Sequence, residues 1–287
     1  MTTRHIVRVI ESQATSDGAG VKLRRSIGSS PFTRLDPFLM LDEFFSDNPD
    51  DYIAGFPAHP HRGFETVTYM LDGHMAHQDH MGNQGDVGPG GVQWMTAGRG
   101  VIHSEMPRQE SGRMRGFQLW INLPAAEKMR PADWRDVPAD QIAEFDFDGG
   151  RARIMAGCVE VNGHSATGPI NKDDNGMATD PRFADLRLEP GASVTVPLPA
   201  DYNATVYLYE GTAKVADTEV PHRAAGVLSD GDTLALTAGA QGASLLLLVG
   251  RPLNEPVVQH GPFVMNTREE IEQAMRDYRD GRFAETG

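Results

Sequence analysis

The chain has 287 residues, a formal net charge of -14 and 39% hydrophobic residues. These values exclude a disordered chain, allow one large domain or two of ordinary size, and disfavour direct, non-specific binding to nucleic-acid backbones. A single cysteine, Cys158, excludes an intramolecular disulfide and a cysteine-based zinc cluster.

Lys22, Arg24 and Arg25 form a small basic cluster that reads first as a solvated turn. The N-terminal residues have no apolar signal core. The longest apolar run, 245–249, is far short of a membrane span. The expected location is the cytoplasm, with the nucleus open if the source is eukaryotic. The 31 glycines and 19 prolines favour β structure with many turns.

In chain order, weak alternation over 4–10 predicts an opening strand. Asp36-Pro37 and the run from Asp47 to Asp51 mark loops. FETVTYML, 64–71, is β-branched and aromatic and ends at the turn pair Asp72-Gly73. Further strands are predicted at 92–95, 101–106 and 117–123. In the last, Phe117, Leu119, Ile121 and Leu123 share one face, and Gln118, Trp120 and Asn122 the other. Residues 124–143 carry helix formers broken by prolines and read as a short helical linker. This places a boundary near 140, between an N-terminal unit, 1–140, and a C-terminal unit, 141–287. Strands are predicted again at 184–188, 193–196, 204–209, 233–237 and 244–249. Thr267 and Glu270 fit a capping box opening a helix with Ile271, Ala274, Met275 and Tyr278 on one face. The fold class is all-β, of sandwich or barrel type.

A faint repeat runs through this pattern. TVTYMLDG at 66–73 resembles ATVYLYEG at 204–211, and MTAGRG at 95–100 resembles LTAGAQG at 236–242. Two copies of one β-barrel unit account for the length.

Six of the ten histidines fall between 59 and 103. His59 and His61 are two apart, as are His103 and Glu105, and residues two apart on a strand share a face. Two neighbouring strands would then aim three imidazoles and one carboxylate at one point. That donor set suits a divalent first-row metal, iron, nickel, copper, manganese or zinc, and leaves open positions on an octahedral ion. Glu65 is a rival ligand of the same parity, unless Gly63 inserts a bulge. His74, His77 and His80 recur every three residues and alternate faces on a strand, so the three do not converge on a second metal; they read as loop polarity, with one of them near the pocket. Sliding the repeats onto each other sets His103 and Glu105 over Ser244 and Leu246, and His59 and His61 over Pro197 and Pro199, so one metal per chain is expected. Cys158 reads as an inert small hydrophobe, and Gly88–Gly91 as a turn rather than a phosphate cradle. Neither GxSxG nor a P-loop is present.

RRSIG at 24–28, FPAHPHRGFETVTYMLDG at 56–73, QWMTAGRGVIHSEMP at 93–107, QLWINLP at 118–124 and GPFVMNT at 261–267 together resemble the pirin family of the cupin superfamily. The resemblance implies two cupin barrels of double-stranded β-helix type, with metal only in the N-terminal one. It implies His59, His61, His103 and Glu105 as ligands, Glu65 as a non-ligand, iron as the usual metal, and a monomer. Two functions follow from it: quercetin 2,3-dioxygenase activity on flavonols with O2, or a non-enzymatic role as a metal-binding partner of a transcription factor or metabolic enzyme. For the first, Glu105 is the candidate base that takes the proton of the flavonol hydroxyl, with Gln118 and Trp120 as candidate cavity residues. A third reading, a purely structural metal, predicts a large loss of melting temperature on chelation.

Overall fold

The computed structural model describes residues 1–172 and 176–283. It is mostly β, with one α-helix among the described residues, and no helix in it is long and apolar enough to cross a membrane. Two compact units are formed, but they are not the contiguous halves 1–140 and 141–287. One comprises Ala14–Arg25, Phe38–Ala139 and 253–283. The other comprises Met1–Gln13, Ser26–Pro37 and Asp140–Pro252. The chain exchanges its ends. The strand Ile6–Glu11 pairs antiparallel with Ala224–Leu228. Just before it, the fully buried guanidinium of Arg4 donates to the carbonyls of Ser229, Gly231, Pro199 and Tyr202. One break does fall between Ala139 and Asp140, near the expected boundary; the exchange of the ends, made by pairing at long sequence distance, leaves no trace in local composition.

The unit built around residues 38–139 holds, among the described residues, two large sheets and the two-stranded pair Val258–His260 and Phe263–Met265. The larger has seven strands, ordered Asp133–Val137, Val92–Thr96, Phe64–Asp72, Met114–Asn122, Phe38–Ser46, Val21–Arg25 and Gln13–Asp17. An interior strand, Phe64–Asp72, is buried along nearly its whole length, which is why it reads as a continuous β-branched and aromatic run rather than an alternating one. The smaller sheet is ordered Phe56–His61, Val101–Pro107, Met75–Asp79 and Gln84–Val87. The two face each other: Glu105 on the smaller accepts hydrogen bonds from Thr68 and Gln118 on the larger.

The stretch 124–143 is not a helical linker. Prolines 124, 131 and 138 break it into two single 3-10 turns, Ala125–Glu127 and Ala139–Gln141, around the strand Asp133–Val137, which pairs with Val92–Thr96. The C-terminal helix, Arg268–Arg279, does open on the Thr267–Glu270 capping box. It buries Ile271 and Ala274, whereas Met275 and Tyr278 at the far end of the stripe are exposed.

The second unit holds a nine-stranded sheet whose long strands, Asn203–Val215 and Thr233–Gly250, each pair with several partners, and a two-stranded pair, Cys158–Val161 with His164–Thr167. Its ladder corrects the alignment of the repeats. Val101–Pro107 lies between Phe56–His61 and Met75–Asp79. In the second unit the segment from Thr233 to Thr237 lies likewise between Ser193–Pro197 and the end of Asn203–Val215. The counterpart of the His103 strand is therefore this segment, not the one beginning at Ser244. The inward residues of the matching pair are Val194, Val196, Leu234 and Leu236, all part of one aliphatic core. Where the first unit keeps imidazoles, the second is filled with hydrocarbon.

Candidate metal centre

The HPH and HSE motifs fall on adjacent antiparallel strands, with His103 directly opposite His59 and Val101 opposite His61. The strand parity therefore brings the three imidazoles together on one face. The Nε2 atoms of His59 and His61 are 2.9 Å apart, and those of His59 and His103 are 3.0 Å apart. Nitrogens of the three rings all lie within 4.8 Å of one another. Two imidazole nitrogens bound in adjacent positions at about 2.1 Å to an octahedral ion stand about 3 Å apart. The set is thus already at ligand spacing and could hold a metal ion.

Tautomers and charge agree with that use. Nδ1 of His59 lies 2.9 Å from the carbonyl of Pro57. A carbonyl can only accept, so Nδ1 carries the proton and the Nε2 lone pair faces the cluster. Burial, followed by the neighbouring imidazoles, holds His61 and His103 well below the usual imidazole range. Both rings are neutral at neutral pH and free to donate electron pairs. Phe64 and Trp120 pack edge-on against His61, at 5.1 and 5.2 Å.

Glu105 shares the inward face with His103 and is buried. Its carboxylate is not one of the mutually close donor atoms. It is instead held by the Thr68 hydroxyl at 2.9 Å and by the Gln118 amide at 3.0 and 3.1 Å. Glu65 goes elsewhere. The strand of His59 and His61 ends at His61, and a new strand in the other sheet begins at Phe64. The parity between His61 and Glu65 is broken at Gly63, whose φ is +90° and whose position leaves no room for a Cβ against the carbonyl of Val264. Glu65 is buried and accepts from Thr96. Lys128 locks the same turn, its buried ammonium donating to Gly63 O, Val264 O and Asn122 Oδ1; burial lowers its pKa to about 8.

Of His74, His77 and His80, the one expected near the pocket is His77, a role that the three-residue spacing does not assign. It is fully buried, 5.1 Å from the His103 ring and stacked on Trp134 at 5.4 Å. The signal was present in a different form. His77 and Asp79 are two apart, the parity of the HPH and HSE pairs, and they lie opposite Glu105 and His103 on the next strand.

A cavity of about 620 Å3 opens on His59 and His61. Phe44, Phe56, Met40 and Trp120 supply apolar walls, and Gln118 a polar contact. At another part of its lining, Arg25 makes a bidentate pair with Asp42, at 2.8 and 2.7 Å, and reaches Asp17 at 2.9 Å. Burial raises Asp42 to about 6 against the opposing pull of Arg25. Arg25 is thus committed to an ion pair in the cavity wall, and not to the solvated turn expected for it. Arg25, Asp42, Gln118, Thr68, Gln93 and Asp136 are successive cross-strand neighbours, forming one polar row across the larger sheet.

Comparison with known proteins accords with this architecture. The Pirin family model matches residues 20–121 and the Pirin C-terminal cupin domain model residues 183–284. A Pseudomonas aeruginosa protein provisionally named a quercetin 2,3-dioxygenase is 49% identical over 97% of both chains. Human Pirin is 38% identical over 98% of this chain and 94% of its own. The crystal structure of quercetin 2,3-dioxygenase from Acinetobacter baumannii matches with a TM-score of 0.87 at 32% identity, covering 98% of each chain. With both cupin units matched in order along one polypeptide, the chain belongs to the pirin family.

Proposed function

We propose that the protein is a metal-dependent dioxygenase that opens a flavonol such as quercetin with O2, and that His59, His61, His103 and Glu105 hold one divalent ion, Fe(II), in the first unit. The observation that carries this reading is the set of three imidazoles at ligand spacing, two of which, His59 and His61, line an aromatic-walled cavity. The cavity volume lies within the range of small-molecule sites. The metal, when bound, supplies Lewis acidity that makes a coordinated hydroxyl easier to ionise.

The chain's own residues supply the rest. Phe44, Phe56 and Trp120 offer flat apolar surfaces to a planar aromatic substrate. The Glu105 carboxylate takes the proton of the 3-hydroxyl. Thr68 and Gln118 donate hydrogen bonds to this carboxylate and orient it. Arg25 and Asp42 present paired charge to polar substituents on the far ring.

The test is oxygen consumption and carbon monoxide release with quercetin on Fe(II)-loaded protein, beside Glu105→Gln. Turnover by the wild type, reduced at least about 100-fold in the variant, is the expected result. One iron per chain with no turnover in either form overturns the enzymatic reading. It would instead support the family's other role, in which the centre shapes a surface for a regulatory protein partner.

Gln118→Leu gives a second prediction. Loss of a hydrogen bond to a charged group costs about 1.5–3 kcal/mol. We expect kcat/KM to fall by about tenfold or more with metal content unchanged, measured by oxygen electrode and elemental analysis.

A further inference from the structure

We propose that His77, backed by Asp79, is a positioning residue that fixes the tautomer and ring orientation of His103 for metal binding. The inference rests on the reading of His103 as a metal ligand and extends it to residues outside the ligand set.

The geometry runs outward from the cluster. His103 points Nε2 toward His59 Nε2 at 3.0 Å, so its other nitrogen, Nδ1, faces away from the centre. That atom lies 3.4 Å from Nδ1 of His77. Two ring nitrogens can share a hydrogen bond only if one donates and the other accepts. A lone pair on His103 Nε2 requires the proton on its Nδ1, which makes His103 the donor and His77 the acceptor. His77 must then carry its own proton on Nε2. That nitrogen is buried, has no hydrogen-bond partner among the described residues, and stands 3.9 Å from Asp79 Oδ2, with both side chains fully buried. The distance is too long for a hydrogen bond but brings an N–H dipole against a carboxylate. The carboxylate is itself fixed, accepting from the backbone N–H of Met81 and Asn83 and from the Asn83 side chain at 2.8–3.0 Å. Trp134 stacks on the His77 ring, nearly parallel at 19°. The order is therefore carboxylate, imidazole, imidazole, metal, and each proton position follows from the one before.

Groups that accept the outer N–H of a ligating imidazole raise its basicity and hold its plane, and their loss costs roughly 10- to 100-fold in metal affinity. The test is a Ni(II) titration of the full chain against a competing colorimetric chelator. The variants are His77→Leu, His77→Asn, His77→Gln and His103→Ala. The amide oxygen of Asn occupies the place of Nδ1, whereas that of Gln falls near Nε2. We expect His77→Leu and His77→Gln to bind roughly 10- to 100-fold more weakly, and His77→Asn to stay within about threefold of wild type, since its oxygen keeps the acceptor. A packing role alone would rank all three by volume and give no rescue by Asn. A second readout is the His103 Nδ1 proton in the Zn(II)-loaded protein, expected as a protected NMR resonance in wild type and His77→Asn. Wild-type affinity in His77→Leu, or equal affinities for Asn and Gln, would overturn the proposal. If His77→Leu does not fold, the Asn and Gln pair decides the matter. Undiminished Ni(II) binding by His103→Ala would show that the ligand assignment has failed, not merely its support.

Discussion

Replacing His59 with alanine is expected to weaken divalent-metal binding by at least about 100-fold and to abolish flavonol turnover, while leaving the metal-free fold intact. His59 sits between the other two rings, with Nε2 at 2.9 Å from His61 and 3.0 Å from His103. It is only partly buried and lines the cavity, so its truncation enlarges a space that is already open. Its Nδ1 bond to the carbonyl of Pro57 is one that water can replace. The remaining pair of imidazoles loses the third nitrogen that gives the ion a closed face. A 100-fold loss of affinity removes about 2.7 kcal/mol of the stabilisation that saturating metal confers on the wild type. Differential scanning calorimetry should therefore show matching transitions for wild type and variant in chelator, and a metal-dependent rise for the wild type alone. Stoichiometric metal retained by His59→Ala through dialysis would remove these imidazoles from any ligand role.

How far the site was legible depended on the range of the interaction. The i, i+2 parity of His59 with His61 and of His103 with Glu105 is a property of a single strand, and it survives in the fold. The same parity in His77 and Asp79 was hidden by a more conspicuous spacing, because His74 and His80 flank it outside the interior. The ambiguity of Glu65 was set by Gly63, where one residue of positive φ ends a strand and hands the chain to the other sheet. The prolines of 124–143 were visible. What they permit, a strand between two turns, depends on the free edge of Val92–Thr96 that Asp133–Val137 covers. The short strings shared by the repeats do not carry their strand partners, so similarity alone sets His103 over the wrong segment. The ladder shows that the segment from Thr233 to Thr237, not the one from Ser244, answers to the His103 strand. The exchange of chain ends is carried by Arg4 and by backbone pairing across more than 200 residues. Local patterns have no access to it.

Glu65 gives the largest stability effect away from the metal. It is buried, its Oε1 accepts from the Thr96 hydroxyl at 2.7 Å, and its Oε2 has no hydrogen-bond partner among the described residues. Burial raises its pKa from 4.5 to about 7, against the lowering effect of the Thr96 bond. Because the folded value is the higher one, the fold gains from a neutral carboxyl. That contribution is fully present below pH 4.5, declines as the unfolded chain ionises, and is lost once the pH passes about 7. The difference between the two values is worth about 3 kcal/mol. Glu65→Gln keeps the oxygen that accepts from Thr96 and has no proton to lose. Whatever constant offset the amide introduces, the stability of the variant relative to wild type should rise by about 3 kcal/mol between pH 4.5 and pH 8, and level off above. Urea unfolding at several pH values, analysed as the difference between the two proteins, isolates this group from every other that titrates in both. A pH-independent difference would mean that Glu65 is ionised in the fold, with a counter-charge at Oε2. Its place would then be that of an ion-pair partner rather than of a buried acid.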